Sequence, residues 1–496
     1  MHDGPPPRIA AQHASRHFSL SSLGIAATAI LVVAVALRIL AAHGTLWLDE
    51  LWSLMLIDEA KARHDLFWIL SADNNHPLNT LYLYLVGADA PVLLQRALAI
   101  ALGSATVLIA ALAMLRAGSA GTLGAMALFA VSYPLVNYGS EARGYAGLIL
   151  AILGALLLTQ RVAMAAPSDP RRKLTVWLGV VCTAGALFQP IMLSAILGLM
   201  AWTAWINRPA GAITWRDART SMAITLRRFS WTARFLIPFA AIIAFGAIQA
   251  GGYRIQGAVP FTAAGFIAGY GGLLHLMLGL PEAMPDWVAL VIGAGALGLA
   301  FLMTQPRDDR RLSLYCIFLL GIPLAMLAAR LPNINFPRYY LASGIVFLLL
   351  LADLFAGAWQ RGGAARALGL LLLIAILTGN AAADARLLRD GRDRSAAVIR
   401  MIGAAGPVLV SSDQDVRNRP LVAFFAARMK LPITYVPSAE ICKQPVTWLL
   451  SSSRESEMPD SIDTSGIGCK KLFAKQAAFP QWGLSGLPWV VYRVQP

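Results

Sequence analysis

Two adjacent carboxylates are conspicuous because they lie between two tryptophans, directly after the first long apolar run. The motif reads Leu46-Trp47-Leu48-Asp49-Glu50-Leu51-Trp52-Ser53. Neighbouring side chains on a helix or turn point in different directions, so one acid can face a substrate while the other pairs or caps. In a partly desolvated site, such an acid acts as a general base. The alternative is a tryptophan belt at a membrane interface with two solvated acids.

Three further segments carry the polar groups that chemistry on an anion would use. They are Asn75-His76-Pro77, Ser140-Glu141-Ala142-Arg143-Gly144-Tyr145 and Pro337-Arg338-Tyr339. A protonated His76 would be both a cation and a donor, although a lone histidine more often caps or packs. Glu141 with Arg143, and Arg338 alone, are functional candidates because ionisable groups at a membrane boundary are uncommon. A snorkelling pair and an interfacial anchor are the alternatives.

The composition requires these groups to be positioned by membrane helices. Of 496 residues, 57% are hydrophobic and 14% charged, against about 25% charged in soluble domains. The mean hydropathy of +0.62 excludes an ordinary water-soluble enzyme. Apolar runs close to the length of a membrane span predict an all-α polytopic bundle of about eleven transmembrane helices. The predicted spans are residues 20–42, 92–115, 122–136, 145–160, 174–188, 191–206, 235–250, 287–304, 312–329, 340–358 and 365–383.

The orientation follows from the basic residues, whose excess gives a net charge of +15. They concentrate in short loops, which are typical of the cytoplasmic side, so the N-terminus is predicted inside and the C-terminus outside. Residues 261–280 are interpreted as an interfacial or re-entrant element, because another span would place later basic loops outside. All four polar segments then lie on the outer face. No basic stripe interleaved with aromatic residues indicates nucleic acid.

The chain divides into three predicted regions. Residues 1–19 form a disordered cytoplasmic tail, residues 20–383 the membrane domain with outer loops 43–91 and 137–145, and residues 384–496 a small extracytoplasmic α/β domain. Its predicted strands are 407–411, 433–436, 446–450 and 488–494, and its predicted helix is 420–429. Cys442 and Cys469 form a disulfide if this domain faces an oxidising compartment, and the sequence leaves that open.

With these motifs in this order, residues 20–383 resemble the GT-C class of membrane glycosyltransferases. The resemblance is to bacterial relatives of protein O-mannosyltransferases and to the lipid A aminoarabinose transferase. It is carried by Trp47-Leu48-Asp49-Glu50, His76-Pro77, the Arg96 segment, Ser140-Glu141-Ala142-Arg143-Gly144-Tyr145 and Pro337-Arg338-Tyr339. The chain departs from the pattern after His76-Pro77, where Leu78 replaces a frequent second proline and no lysine follows. His76 and Arg143 are expected to replace that lysine at the phosphate.

The resemblance implies a polyprenyl-phosphate sugar as donor, used at the outer face of the bacterial inner membrane. It makes Asp49 the catalytic base, Glu50 a supporting acid, Glu141 the acid of the second loop and Arg338 a ligand of the carrier phosphate. Asn75, His76, Arg143, Tyr145 and Tyr339 complete the predicted substrate-binding set. The expected reaction is one inverting displacement onto an acceptor hydroxyl of a lipid, glycan or protein.

Two alternative functions stay open, and the cofactor is a third question. The first is a lipid or sugar transporter or flippase, although transporters usually place ionisable groups near the midplane. The second is an outer-face glycan polymerase or ligase, which would use a carrier diphosphate. The third concerns cofactors: none is required, and a divalent metal is possible but not indicated, because the acids and histidines of the first outer loop match no recognised ligand spacing.

Overall fold

The computed structural model describes residues 20–63, 76–163, 172–208, 214–249, 252, 259–303, 309–404, 406–453, 457–465, 469 and 471–495. The predicted tail 1–19 and Asn75 lie outside these residues. The membrane part contains α1 (Leu20–Ala41), α2 (Leu48–Arg63), α3 (Pro77–Val86), α4 (Val92–Met114), α5 (Gly118–Val131), α6 (Tyr133–Tyr138), α7 (Tyr145–Ala163), α8 (Arg172–Phe188), α9 (Met192–Ile206), α10 (Trp215–Arg228), α11 (Ser230–Gln249), α12 (Ala263–Phe266), α13 (Gly272–Leu278), α14 (Asp286–Met303), α15 (Asp309–Cys316), α16 (Ile322–Ala328), α17 (Leu341–Arg361) and α18 (Gly363–Asp390).

Eight helical segments of the described chain are long and apolar enough to cross a membrane. One of them, Val92–Val131, contains both α4 and α5, which are joined by a 3₁₀ turn and by Gly118 at a positive φ of 79°. Lys173–Phe188, Met192–Ile206 and Ala263–Leu278 are shorter apolar helices. The polytopic helical bundle is therefore confirmed, whereas the count of eleven spans and the re-entrant position of residues 261–280 stay predictions.

The bundle is built around α7 and α17, whose side chains are mostly buried. The outer helices present apolar side chains outward, for example Ile25, Leu302 and Leu371. This distribution is typical of a bundle in lipid, where apolar surface needs no cover from water.

The basic segment after α9 forms an amphipathic helix, α10. Its N-terminus is closed by a capping box, in which the Thr214 side chain accepts from the Asp217 amide and the Asp217 carboxylate accepts from the Thr214 amide. Arg228 at its C-terminus donates to the Ala163 carbonyl at the end of α7. The helix thus lies at the C-terminal end of α7.

The C-terminal region is an α/β domain. It contains α19 (Ser395–Gly403), β1 (Val408–Ser412), α20 (Asp415–Met429), β2 (Ile433–Tyr435), β3 (Trp448–Ser451), β4 (Ser461–Asp463), β5 (Leu472–Phe479) and β6 (Trp489–Val494). The six strands form one sheet in the order β2-β1-β3-β6-β5-β4. The first three are parallel and the remaining pairings are antiparallel. Cys442 and Cys469 are joined by a disulfide.

The helix α2 lies between the membrane bundle and the α/β domain. Its apolar side chains Leu48, Leu51, Leu54 and Ile57 are buried in one cluster with residues of the α/β domain. That cluster includes Val410 of β1, Leu421 and Phe425 of α20, and Trp489 of β6. The C-terminal domain therefore packs on α2, the helix whose first turn contains Asp49 and Glu50.

Candidate active site

Glu50, one of the predicted acids, forms a fully buried ion pair with Arg96. The Arg96 Nε donates to Glu50 Oε1 at 2.8 Å and Nη2 donates to Oε2 at 2.6 Å. Glu50 also accepts from the Trp47 amide at 3.1 Å and the Ala142 amide at 2.7 Å. Burial by itself raises the pKa of the Glu50 carboxyl, but Arg96, Arg392 and the Ala142 amide together outweigh it, so that pKa lies below its ordinary value. Glu50 thus joins α2, α4 and the loop before α7 as an ionised structural acid.

Asp49, one residue earlier, points to a different neighbourhood. Its Oδ2 lies 2.9 Å from Arg143 Nη1 and 4.0 Å from Arg338 Nη1. The side chain of Asp49 is 13% exposed and that of Arg338 24%, whereas that of Arg143 is 3% exposed. A carboxylate therefore lies between two guanidinium groups at a position that retains some accessibility.

Aromatic rings line the two arginines. The Arg143 guanidinium lies 4.7 Å from the centre of the Tyr145 ring and 5.4 Å from that of Trp47. The Arg338 guanidinium lies 4.4 Å from the centre of the Phe336 ring and 5.8 Å from that of Tyr339. Cation–π contacts of this kind fix the planes of the guanidinium groups and shield them from water.

His76 is next to this cluster, and its ring contacts that of Tyr145. Its Nδ1 lies 2.9 Å from the Phe188 carbonyl oxygen. That oxygen only accepts, so Nδ1 carries the proton and donates. Burial, reinforced by Arg143, lowers the pKa of His76 to about 3. His76 is therefore neutral at physiological pH, and its buried Nε2 is an acceptor. The role of His76 in substrate binding stays a prediction, and in this structure burial and two nearby arginines oppose the positive charge that a cationic donor to phosphate would carry.

Gly144 allows Arg143 and His76 to come together. A Cβ atom there would lie 1.9 Å from the Phe188 carbonyl oxygen and 3.0 Å from His76 Nδ1. Only glycine fits, because any side chain would push α8 and His76 away from the chain before α7.

Glu141 lies in the same loop but has other neighbours. Its Oε1 accepts from Asn137 Nδ2 at 2.8 Å and from the Ser485 hydroxyl, and it lies 3.4 Å from Arg392 Nη1. Burial raises the pKa of the Glu141 carboxyl above its ordinary value, although Arg392 opposes this. Glu141 is thus completely buried against the start and the end of the C-terminal domain.

The structure brings together most, but not all, of the predicted set. Asp49, Arg143, Tyr145, Arg338 and Tyr339 form one cluster, with neutral His76 behind it. Glu50 and Glu141 lie in two flanking buried networks. Asn75 lies outside the described residues.

Sequence reasoning included the Arg96 segment but did not predict that Arg96 pairs with Glu50, and it did not single out Arg392, the partner of Glu141. Arg96 stands in the first turns of an apolar helix, and an arginine in such a place itself indicates a buried partner. Arg392 gave no comparable signal, because it lies in a polar stretch among several arginines. Among the described residues, no group of three or more His, Cys, Asp and Glu side chains is arranged to hold a metal ion.

Comparison with known proteins identifies the architecture. No family model matches the chain, and no curated protein matches its sequence. The crystal structure of ArnT from Cupriavidus metallidurans, bound to undecaprenyl phosphate, matches over 96% of this chain and 98% of its own, with 12% identity and a TM-score of 0.51. The apo oligosaccharyltransferase of Archaeoglobus fulgidus matches over 88% of this chain and 70% of its own, with 12% identity and a TM-score of 0.49. At these identities the likeness to ArnT concerns the fold, and this chain therefore has the GT-C fold that its motifs predicted.

Proposed function

We propose that the chain is a glycosyltransferase that moves a sugar from a polyprenyl-phosphate donor to an acceptor hydroxyl. The observation that carries the proposal is the Asp49 carboxylate, held between Arg143 and Arg338 at one end of a membrane bundle. A base and two fixed cations are the groups that such a displacement needs. The fold of ArnT, whose crystal structure contains undecaprenyl phosphate, supports the same donor class.

The reaction is one inverting displacement. The acceptor oxygen attacks the anomeric carbon as its proton passes to Asp49, and the bond from that carbon to the phosphate oxygen breaks. The leaving group is the polyprenyl phosphate, whose negative charge grows in the transition state. Arg338 and Arg143 stabilise that charge in a place of low dielectric, which typically makes such donors worth several kcal/mol (about 2.7–4 per donor).

An apolar groove provides a place for part of the isoprenoid chain of the donor. It has a volume of about 180 Å³ and lies between α12, α13, α14, α16 and α17, and its lining includes Phe266, Tyr270, Leu297 and Phe347. The ring of Tyr270 lies 5.2 Å from that of Tyr340, which is two residues from Arg338. This contact links the lining of the groove to the segment that carries Arg338. Filling it by Ala294→Trp would raise the KM for a long-chain donor more than that for a short-chain one.

The site is assigned to the outer face of the inner membrane. Arg143 and Tyr145 lie at the N-terminal end of α7, whereas the basic helix α10 contacts its C-terminal end. Basic surfaces usually face the cytoplasm, so the opposite end faces the periplasm. The disulfide of the C-terminal domain, which contacts the site end, agrees with an oxidising compartment. The acceptor is a lipid, a glycan or a protein.

The test is transfer from a panel of labelled polyprenyl-phosphate sugars by purified protein, with products identified by mass. Asp49→Asn should abolish transfer, and Asp58→Asn, the same change at an exposed acid of the same helix, should not. Near-normal transfer by the Asp49 variant would refute the assigned base. Substrate counterflow without conversion would indicate a transporter, and release of a carrier diphosphate would indicate a polymerase or ligase.

A further inference from the structure

The C-terminal domain makes a set of buried polar contacts with the loop that carries Arg143. We name residues 139–144 the Glu141 turn. Arg392, just after α18, donates to Asn137 Oδ1 at 2.7 Å, to the Ala41 carbonyl at 3.1 Å and to the Ser140 hydroxyl. Ser485, between β5 and β6, donates to Glu141 and accepts from Asn137 at 2.9 Å. Arg392 near the start of the domain and Ser485 near its end thus both contact the Glu141 turn.

The other side of the same turn is fixed by the membrane domain. The Ala142 amide donates to Glu50, and the Ala142 carbonyl accepts from Asn79 Nδ2 at 2.8 Å. The Arg143 amide donates to the Glu141 carbonyl at 2.8 Å. Arg143 directly follows Ala142, so the position of the Glu141 turn sets where the Arg143 side chain begins, 2.9 Å from Asp49 at its guanidinium.

We propose that Ser485 and Arg392 are positioning residues, which hold Arg143 at the reacting phosphate by fixing the Glu141 turn. This inference rests on the proposed function and assigns the C-terminal domain a part in catalysis. In this proposal Glu141 is the residue that Ser485 and Arg392 bind, and that role takes the place of the predicted role as a catalytic acid.

The chemistry of the contact supports positioning over simple adhesion. The domain is already attached by a large apolar cluster around α2, which needs no buried charge. Burying Glu141 with Arg392 costs desolvation that apolar packing avoids, and such networks are best attested where one arrangement must be selected over others. Here the selected arrangement is the one in which Arg143 lies 2.9 Å from Asp49.

The first measurement is the kinetics of Ser485→Ala, with Ser461→Ala at an exposed serine of β4 as the matched control. Losing a hydrogen bond to a charged group should lower kcat about tenfold. KM for the donor should change much less, because Arg143 acts chiefly on the charge that develops in the transition state. Ser461→Ala should match the wild type. An unchanged kcat in Ser485→Ala, or an equal change in the control, would overturn the proposal.

A double variant tests whether Ser485 acts through Glu141. If it does, Ser485→Ala adds nothing further to the kcat of Glu141→Ala, a variant that removes the acceptor oxygen. Effects that multiply would mean that Ser485 acts by another route and would overturn the assigned path.

Hydrogen exchange provides a readout that does not depend on transfer. In Ser485→Ala, exchange at the Ala142 and Arg143 amides should rise about tenfold, while exchange in β1 stays as in the wild type. Unchanged exchange at the turn would refute the inference even if the enzyme is active. Faster exchange at the turn in a protein without transferase activity would refute the proposed function, but it would still show that Ser485 stabilises the turn.

Discussion

Replacing Glu50 by glutamine should lower the free energy of unfolding of the protein. This effect on stability is expected although Glu50 is adjacent to the proposed base, Asp49. The substitution leaves Arg96 buried without a counter-charge, and it turns one of the two carboxylate oxygens into a donor. That donor would face either Arg96 and the Trp47 amide or Arg96 and the Ala142 amide. Removing one partner of a buried pair costs about 3–5 kcal/mol. We expect a loss of that size in the free energy of unfolding.

The assay is denaturant unfolding of the purified protein in micelles, with Asp49→Asn as the comparison. The substituted amide would keep an acceptor for Arg143, and the site is partly accessible, so the loss in the Asp49 variant should stay below about 2 kcal/mol. The two variants thus predict opposite outcomes: Glu50→Gln lowers stability most, and Asp49→Asn lowers activity most. A Glu50→Gln protein as stable as Asp49→Asn would refute the assignment of Glu50 to the fold.

Three further perturbations address other parts of the structure. His76→Asn should flatten the pH dependence of stability: unfolded His76 takes up a proton below its ordinary pKa of 6.5 while the folded one stays neutral down to about 3, so the wild type loses about 2 kcal/mol between pH 8 and pH 5. Gly144→Ala should lower the unfolding temperature and the transfer rate together, because its Cβ would meet the Phe188 carbonyl at 1.9 Å. Replacing Cys442 and Cys469 by serine removes a crosslink between residues that are 27 positions apart. The loss should destabilise the C-terminal domain by about 3.5 kcal/mol in denaturant unfolding.

Each of these has its own control. Gly298→Ala, in α14 where nothing lies within 4 Å of the added Cβ, should leave unfolding temperature and transfer unchanged. If His76→Asn shows the same loss of stability at low pH as the wild type, another group carries the pH dependence. If reduction of the wild-type disulfide has no effect on unfolding of the C-terminal domain, the crosslink does not limit its stability.

Much of the fold was predictable because lipid imposes a simple pattern. Apolar runs of about 20 residues are hard to mistake, and the helices follow them closely. The largest boundary error is at α18, which continues to Asp390 past the predicted end at 383. Its last residues are rich in alanine, leucine and arginine, which favour continuation of the helix. Gly391, at a φ of 72°, ends it.

Short elements of the C-terminal domain were less predictable. The strands β1, β2, β3 and β6 lie within one or two residues of the predicted runs, because they are apolar and bounded by turn residues. In contrast, β4 has three residues and β5 contains Lys475 and Gln476 among alanines. Their pairing, with each other and with β6, supplies the order that their own sequence lacks.

The site was predictable as a grouping, since one face of the bundle collects Asp49, Arg143 and Arg338. The roles within it were not, because they depend on contacts between distant residues. Arg96 is 46 residues from Glu50, and Arg392 is 251 residues from Glu141. The charge of His76 likewise depends on burial and on neighbours that no local pattern records.

The two adjacent acids show how one short motif serves both the fold and the proposed reaction. Glu50 needs complete burial, because only a desolvated carboxylate with Arg96 holds α2, α4 and the loop before α7 in one arrangement. Asp49 needs the opposite: enough access for an acceptor hydroxyl, and arginines that an incoming phosphate can share. A helix places consecutive side chains about 100° apart, so the first turn of α2 meets both demands with neighbouring residues. The buried pair of Glu50 and Arg96 therefore fixes the backbone from which the accessible Asp49 can act. The C-terminal domain packs on α2 and binds Glu141, and it thereby stabilises the same arrangement from the other side.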